Sequence, residues 1–259
     1  MNREVSTDTS GGAPLAGKTA LVTGGARRVG AEIVRALHGA GANVLIHYHR
    51  SAAEADSLAR ELAARRAGSA VSVALDLLDT AHIDQLPRQA QEKFGQLDIL
   101  VNNASTFYPT VVGEITDAQW NDLIGSNLKA PLFLSQAAAP SLRAANGLIV
   151  NILDIHGVRP LRRYLTYSVA KAGLAMLTRG LARELGPQVR VNGVAPGPVM
   201  WPEDPDADQA LQQRIIERTV LKRAGSSADV ARAVLFFATQ APYVTGQILA
   251  VDGGRSIGW

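Results

Sequence analysis

Short apolar runs alternate with helix-length stretches along almost the whole chain, and that alternation limits the fold more than anything else in the sequence. Lys18–Thr23, Asn43–Tyr48, Ala70–Leu75, Leu97–Val101, Gly147–Leu153, Val189–Val194 and residues 247–251 each read as a strand. Between them, Val29, Ile33 and Leu37 fall four apart on one helical face. Ala55, Leu58 and Leu62 repeat the pattern behind Ser51, a candidate N-cap. Leu174, Leu177, Leu181 and Leu185 mark a long helix from about Tyr164. Further helices are expected near 80–94, 117–143 and 227–239. Strands apolar on both faces and separated by helices imply a parallel sheet buried on both sides. Right-handed crossovers make it an α/β, doubly wound parallel sheet of about seven strands. With no linker or repeat, residues 17–259 are expected to form one domain, and 1–16 a flexible N-terminal tail.

Composition closes off other classes. The 259 residues contain no cysteine, which excludes disulfide scaffolds, Cys-ligated metals and thiol nucleophiles; no metal is expected. No apolar run approaches the ~18 residues that span a bilayer, and the N-terminus lacks the apolar centre of a signal peptide. A cytoplasmic protein without membrane contact is the expectation. The net charge of +3 raises the question of nucleic acid, but the basic residues are scattered among acids and aromatics are only 5%. No nucleic-acid partner is expected.

The first strand runs into Thr23-Gly24-Gly25-Ala26-Arg27-Arg28-Val29-Gly30. Glycines there let the backbone approach a pyrophosphate, and the helix N-terminus offers unpaired N–H groups. Gly24, Arg27, Arg28 and Val29 are therefore candidate cofactor contacts, against the bland alternative of a tight turn with no ligand. The second strand ends in His49, Arg50 and Ser51, with no acid. An acid there would favour NAD, whereas this set suits a 2′-phosphate and points to NADPH. Asp76, at the end of the third strand, is a candidate partner for the adenine amino group or a simple helix-starting acid. Asn102-Asn103-Ala104-Ser105 ends the fourth strand, where Asn side chains can fix backbone turns or line the nicotinamide ribose, so Asn102 and Ala104 are candidate cofactor contacts; Pro196 and Gly197 follow the sixth strand, at the carboxyl edge where such sheets bind ligands. The Pro- and Asp-rich stretch Pro196–Asp208 is a candidate binding loop in which Met200 and Trp201 can line a pocket.

Tyr167 and Lys171 stand four residues apart, on one helix face. An ammonium there is expected to lower the phenol pKa toward neutrality and fit it for proton transfer. The Thr-Gly turn, Asn102-Asn103-Ala104, Asn127, the Tyr-x-x-x-Lys pair, Asn192–Gly197 and Val251–Gly254 occur in that order. Together they resemble the short-chain dehydrogenase/reductase family over about residues 17 to 256. The resemblance implies a Rossmann-like fold, an Asn127 that interrupts its helix, and a homotetramer built on the helices after strands four and five.

Two departures refine it. Arg28 stands where most members have the middle glycine of the turn, and Asp154 where most have a serine, 13 residues before the tyrosine. Both look like the pteridine reductase branch, as do His47–Ala55 and Asn102–Thr110. That resemblance implies Asp154, Tyr167, Lys171 and Asn127 as the catalytic set, with Lys171 also binding the cofactor by positioning its ribose. It implies Arg28, Ser105, Phe107, Asp154 and Tyr167 as pterin contacts. A carboxyl group suits a pterin, with its ring nitrogens and amino donors, better than a substrate carbonyl. The sequence thus points to NADPH-dependent reduction of a pterin or folate C=N bond. The rivals are a 3-oxoacyl-type carbonyl reductase of the same family and a non-catalytic NADPH-binding regulator.

Overall fold

The computed structural model describes residues 12–199 and 209–258. Seven strands form one sheet: β1 Thr19–Val22, β2 Asn43–Tyr48, β3 Ala70–Ala74, β4 Ile99–Asn102, β5 Leu148–Ile152, β6 Arg190–Pro196 and β7 Ile248–Val251. Their order is β3-β2-β1-β4-β5-β6-β7 and every pairing is parallel. The order reverses between β1 and β4, which creates the crevice where open α/β sheets take ligands. Among the described residues, eight α-helices connect the strands: α1 Arg28–Gly39, α2 Ala52–Arg65, α3 Gln85–Phe94, α4 Asp117–Ile124, α5 Ala130–Ala145, α6 Leu165–Leu185, α7 Gln209–Glu217 and α8 Ser227–Thr239.

Alternation along the strands builds two cores. Ala20, Val22, Val44, Ile46, Ile99 and Val101 face α1, α2 and α8, meeting Ile33, Val34, Leu37, Leu58, Leu62, Val234 and Phe237. Their neighbours Leu21, Leu45, Leu100, Ile149 and Val191 face α3, α5 and α6. The five central strands therefore bury apolar residues on both sides, as continuous runs require, while the edge strands β3 and β7 stay partly exposed. Leu15 belongs to the first core, and its N–H donates to the Ala40 carbonyl at 2.8 Å. Packing thus begins inside the stretch expected to be a tail.

The helix expected over 117–143 is broken. A π-helical turn, Gly125–Lys129, separates α4 from α5. Asn127 sits in it fully buried, and its Nδ2 donates to the Leu123 and Thr106 carbonyls, both at 3.0 Å. The side chain thereby competes for backbone acceptors inside a helix, the behaviour that makes Asn a poor mid-helix residue. Pro131 falls at the start of α5, where its missing N–H costs little. Helix α7 has no counterpart in the sequence expectations.

Candidate functional site

The turn between β1 and α1 is held from both sides. Thr23 Oγ1 accepts the backbone N–H groups of Asn103 at 2.9 Å and Ala104 at 3.0 Å. Asn103 Nδ2 returns bonds to the Thr23 and Gly24 carbonyls, at 2.9 and 3.1 Å. Only glycine fits at two of its positions. A Cβ on Gly30 would stand 2.1 Å from the Gly24 carbonyl oxygen, and Gly24 itself has φ +59° against the Ala104 backbone. Helix α1 then opens with no acid in its first turn, so its N-terminus and the two half-exposed arginines favour an anion.

Arg28 carries φ 53° at the place where family glycines sit. A side chain in the left-handed region costs roughly 1 kcal/mol, and such strain gathers at functional sites. Arg28→Gly is expected to leave cofactor-free stability within ~1 kcal/mol of wild type, by removing strain while loosening the unfolded chain. NADPH affinity should meanwhile fall about tenfold, the loss of one charge-assisted phosphate contact. Paired denaturation and binding measurements check both signs.

At the end of β2, His49 and Arg50 are exposed and Ser51 is the N-cap of α2. The Ser51 hydroxyl makes no capping bond, so it remains available to a ligand. Asp76 accepts the Leu78 N–H at 3.0 Å and lies 3.9 Å from His49 Nε2. Arg27 and Glu54 are 3.6 Å apart across the same cleft.

Strand β4 delivers its residues in a different way from the one expected. The Asn102 side chain points into the interior, where Nδ2 donates to Asn151 Oδ1 at 2.8 Å and Ser135 Oγ at 3.2 Å. That side chain braces β4 against β5 and α5. Alternation at the strand end turns Asn103 toward the first turn, where its side chain fixes the backbone, one of the two roles expected of the asparagines there. Ala104 packs directly on Gly24. Ser105 Oγ donates to Asn127 Oδ1 at 2.8 Å. Phe107 is 47% exposed and stacks on Tyr164 at 4.5 Å, with an edge contact to Tyr167 at 4.8 Å. An aromatic this large and this exposed is available to a planar ligand.

Asp154 follows β5 and caps a short 3-10 turn, Ile155–Gly157. Its Oδ1 accepts the His156 N–H at 2.8 Å and its Oδ2 accepts the Tyr167 hydroxyl at 2.8 Å. Tyr167 is buried in the first turns of α6. Lys171, one turn on, is buried too; its Nζ donates to the Ile152 carbonyl at 2.9 Å and lies 5.6 Å from the Tyr167 ring centroid. The expected drop in the Tyr167 pKa does not occur. Burial pushes the phenol well above its usual range, the Asp154 carboxylate adds to the rise, and the Ser105 hydroxyl opposes it. Burial lowers the Lys171 ammonium to about 8, against the pull of Asp154. The phenol is thus held as a protonated acid.

Pro196 ends β6, and Gly197 donates its N–H to the Val251 carbonyl at 3.0 Å. A Cβ on Gly197 would meet Asp252 at 2.6 Å. Met200 and Trp201 lie outside the described residues. Among the described residues there is no cluster of acids and histidines fit to hold a metal, and no helix long and apolar enough to cross a membrane.

The family model described as enoyl-(acyl carrier protein) reductase matches residues 24–256. A pteridine reductase 1 from Leishmania tarentolae is 38% identical, over 96% of this chain and 98% of that protein. This chain belongs to the short-chain dehydrogenase/reductase family. A 3-oxoacyl-(acyl-carrier-protein) reductase of Staphylococcus aureus is 32% identical, over 92% of this chain and 97% of the relative. Among solved structures, a blue fluorescent protein from a metagenomic library in complex with NADPH is 36% identical. It superposes with a TM-score of 0.87 over 93% of this chain and 99% of that one. A Serratia marcescens short-chain dehydrogenase/reductase mutant matches with a TM-score of 0.88 at 36% identity, over 94% of this chain and 99% of its own.

As a short-chain dehydrogenase/reductase, the chain brings Asp154, Tyr167, Lys171, Ser105 and Asn127 together beside Phe107. The phosphate turn, His49, Arg50 and Ser51 lie at the carboxyl ends of β1 and β2. The candidate cofactor residues and the candidate catalytic residues therefore form two groups along one sheet edge. His47, a histidine within an apolar strand, has no role of its own in the sequence expectations.

Proposed function

We propose that this protein is an NADPH-dependent pteridine reductase that reduces a C=N bond of a dihydropterin, dihydrofolate or related pterin. The observation that carries the reading is Asp154, a carboxylate 2.8 Å from the Tyr167 hydroxyl where most of the family has a serine. A serine hydroxyl donates to a substrate carbonyl oxygen. Asp154 instead accepts, which suits the amino and ring N–H donors of a pterin. Phe107 offers a face for the flat ring, and 38% identity to a pteridine reductase agrees with it.

The residues at the first turn fit a dinucleotide bearing a 2′-phosphate: two glycines where a Cβ would clash, a helix start without acids, and Arg27, Arg28, Arg50 and Ser51 close by in sequence. NADPH, when bound, supplies the hydride that adds to the C=N carbon. Tyr167 gives its proton to the ring nitrogen, and Asp154 keeps that hydroxyl oriented and protonated until then. Lys171 places positive charge beneath the tyrosine ring and steadies the phenolate left behind.

An assay of NADPH oxidation with dihydrobiopterin, dihydrofolate, dihydromonapterin and a 3-oxoacyl thioester tests the reading. Turnover on at least one pterin, with NADPH bound more tightly than NADH, is expected. Preference for the thioester would favour the carbonyl reductase, which the 32% identical relatives support. NADPH binding without any turnover would favour the regulator.

The exposed face of α6 carries Leu165, Val169 and Met176, and α5 adds Leu132. Apolar side chains repeated along adjoining helices favour self-association. A cytoplasmic homotetramer is proposed, and light scattering should give about four times the 27.4 kDa chain mass.

A further inference from the structure

We propose that His47 is a positioning residue for the cofactor: its ring fixes the Gly24 end of the phosphate turn to strands β2 and β3. The inference rests on the NADPH reading above. His47 lies inside β2, fully buried, and belongs to neither the cofactor contacts nor the catalytic group. Its Nδ1 accepts the Gly24 N–H at 3.1 Å, and its Nε2 meets the Leu75 carbonyl at 3.0 Å. A carbonyl only accepts, so Nε2 carries the proton and Nδ1 keeps its lone pair for Gly24. Its backbone carbonyl takes the Gly25 N–H at 2.9 Å. One residue therefore takes the N–H groups of both Gly24 and Gly25.

Two consequences follow for a bound phosphate. The N–H groups of Gly24 and Gly25 are committed to His47, so the donors left for the anion are those opening α1, beside Arg28. The ring also ties the turn to Leu75, the residue before Asp76. It thereby sets the spacing between the phosphate end and the adenine end of the crevice. The turn needs such a clamp because Gly24 and Arg28 both sit at positive φ. Asn103 holds its far side, at β4, and His47 its near side.

The surroundings keep the ring neutral. Burial lowers the His47 pKa to about 4, the Leu75 carbonyl opposes that, His49 lowers it further and Asp76 raises it.

The test measures the NADPH dissociation constant of the cofactor-free protein by calorimetry, alongside its thermal midpoint. The variants are His47→Phe, His47→Asn and His47→Gln. Asn places an acceptor near the position of Nδ1, and Gln places a donor near that of Nε2. His47→Phe should weaken NADPH binding about tenfold or more, the loss expected from an unsatisfied buried N–H that shifts the turn. Turnover at saturating NADPH should stay within roughly threefold, since the reacting groups are untouched. His47→Asn should bind NADPH at least about threefold more tightly than His47→Gln, a comparison that stands even if the Phe variant does not fold.

An unchanged dissociation constant in His47→Phe overturns the inference, even with a lowered midpoint, because that pattern marks a role in stability alone. Equal or tighter binding by His47→Gln than by His47→Asn overturns it as well. No NADPH binding by the wild type overturns the cofactor reading and this inference with it; wild-type binding that His47→Phe leaves intact overturns the inference alone.

Discussion

Tyr167→Phe should lower kcat on the best pterin substrate by about a hundredfold or more, the usual consequence of removing a general acid. NADPH affinity should stay within roughly threefold, because the substitution leaves the proposed phosphate contacts at the first turn and the end of β2 untouched. The substitution keeps the ring, so the edge contact with Phe107 at 4.8 Å persists. It removes one hydrogen bond, the 2.8 Å donation to Asp154. Asp154 is only partly buried, so water can replace the lost donor and the stability loss should stay near ~1 kcal/mol. Steady-state turnover, NADPH binding and thermal denaturation separate these three effects. The pH profile adds a further check. The phenol is held above its ordinary pKa, so it does not ionise in the working range. A basic limb near pH 8 is instead assigned to Lys171, whose ammonium is lost as the pH rises through about 8. Turnover close to wild type in Tyr167→Phe would remove this residue from the chemistry.

The sheet was legible because buried parallel strands need apolar residues on both faces, which leaves continuous runs such as Val44–Ile46 and Leu148–Val150. The Tyr167 and Lys171 pairing was legible because helix periodicity places residues four apart on one face. The sign of the Tyr167 shift was not. It depends on burial and on Asp154, which the turn after β5 brings to the hydroxyl from 13 residues upstream. At strand ends a shift of one residue exchanges the two faces, so the Asn102 side chain bonds Asn151 in the interior while Asn103 fixes the first turn. The segment His47-Tyr48-His49-Arg50 shows two histidines of equal rank, yet His47 points into the protein and His49 out of it. The π-helical turn at Asn127 left no periodicity of its own, since one inserted step barely disturbs a long helical pattern. Leu15 lay beyond the first apolar run and was read as tail, although it completes the first core.

Asp154→Asn should separate the proposed chemistry from ordinary carbonyl reduction. The amide oxygen can still accept the His156 N–H, now at 2.8 Å, so the 3-10 turn after β5 should persist. On the tyrosine side the polarity reverses. The amide nitrogen donates to the phenol oxygen, where the carboxylate accepted from it. Two consequences follow. The Tyr167 proton loses the acceptor that aims it, and the substrate loses a charged acceptor for its N–H groups. Pterin kcat/KM should fall on the order of a hundredfold. The carboxylate also contributes to the raised phenol pKa, so removing its charge should bring the Tyr167 pKa down. Difference absorbance of the tyrosinate, with Tyr167→Phe as the blank, reads that change directly. A lowered phenol pKa with unchanged pterin turnover would leave Asp154 tuning the tyrosine but would deny it any role in taking the substrate. An unchanged phenol pKa with lost turnover would give the opposite division. Activity on 3-oxoacyl thioesters that survives while pterin activity disappears would tie the carboxylate to substrate choice, because Tyr167 and Lys171 serve both reactions and only the acceptor has changed.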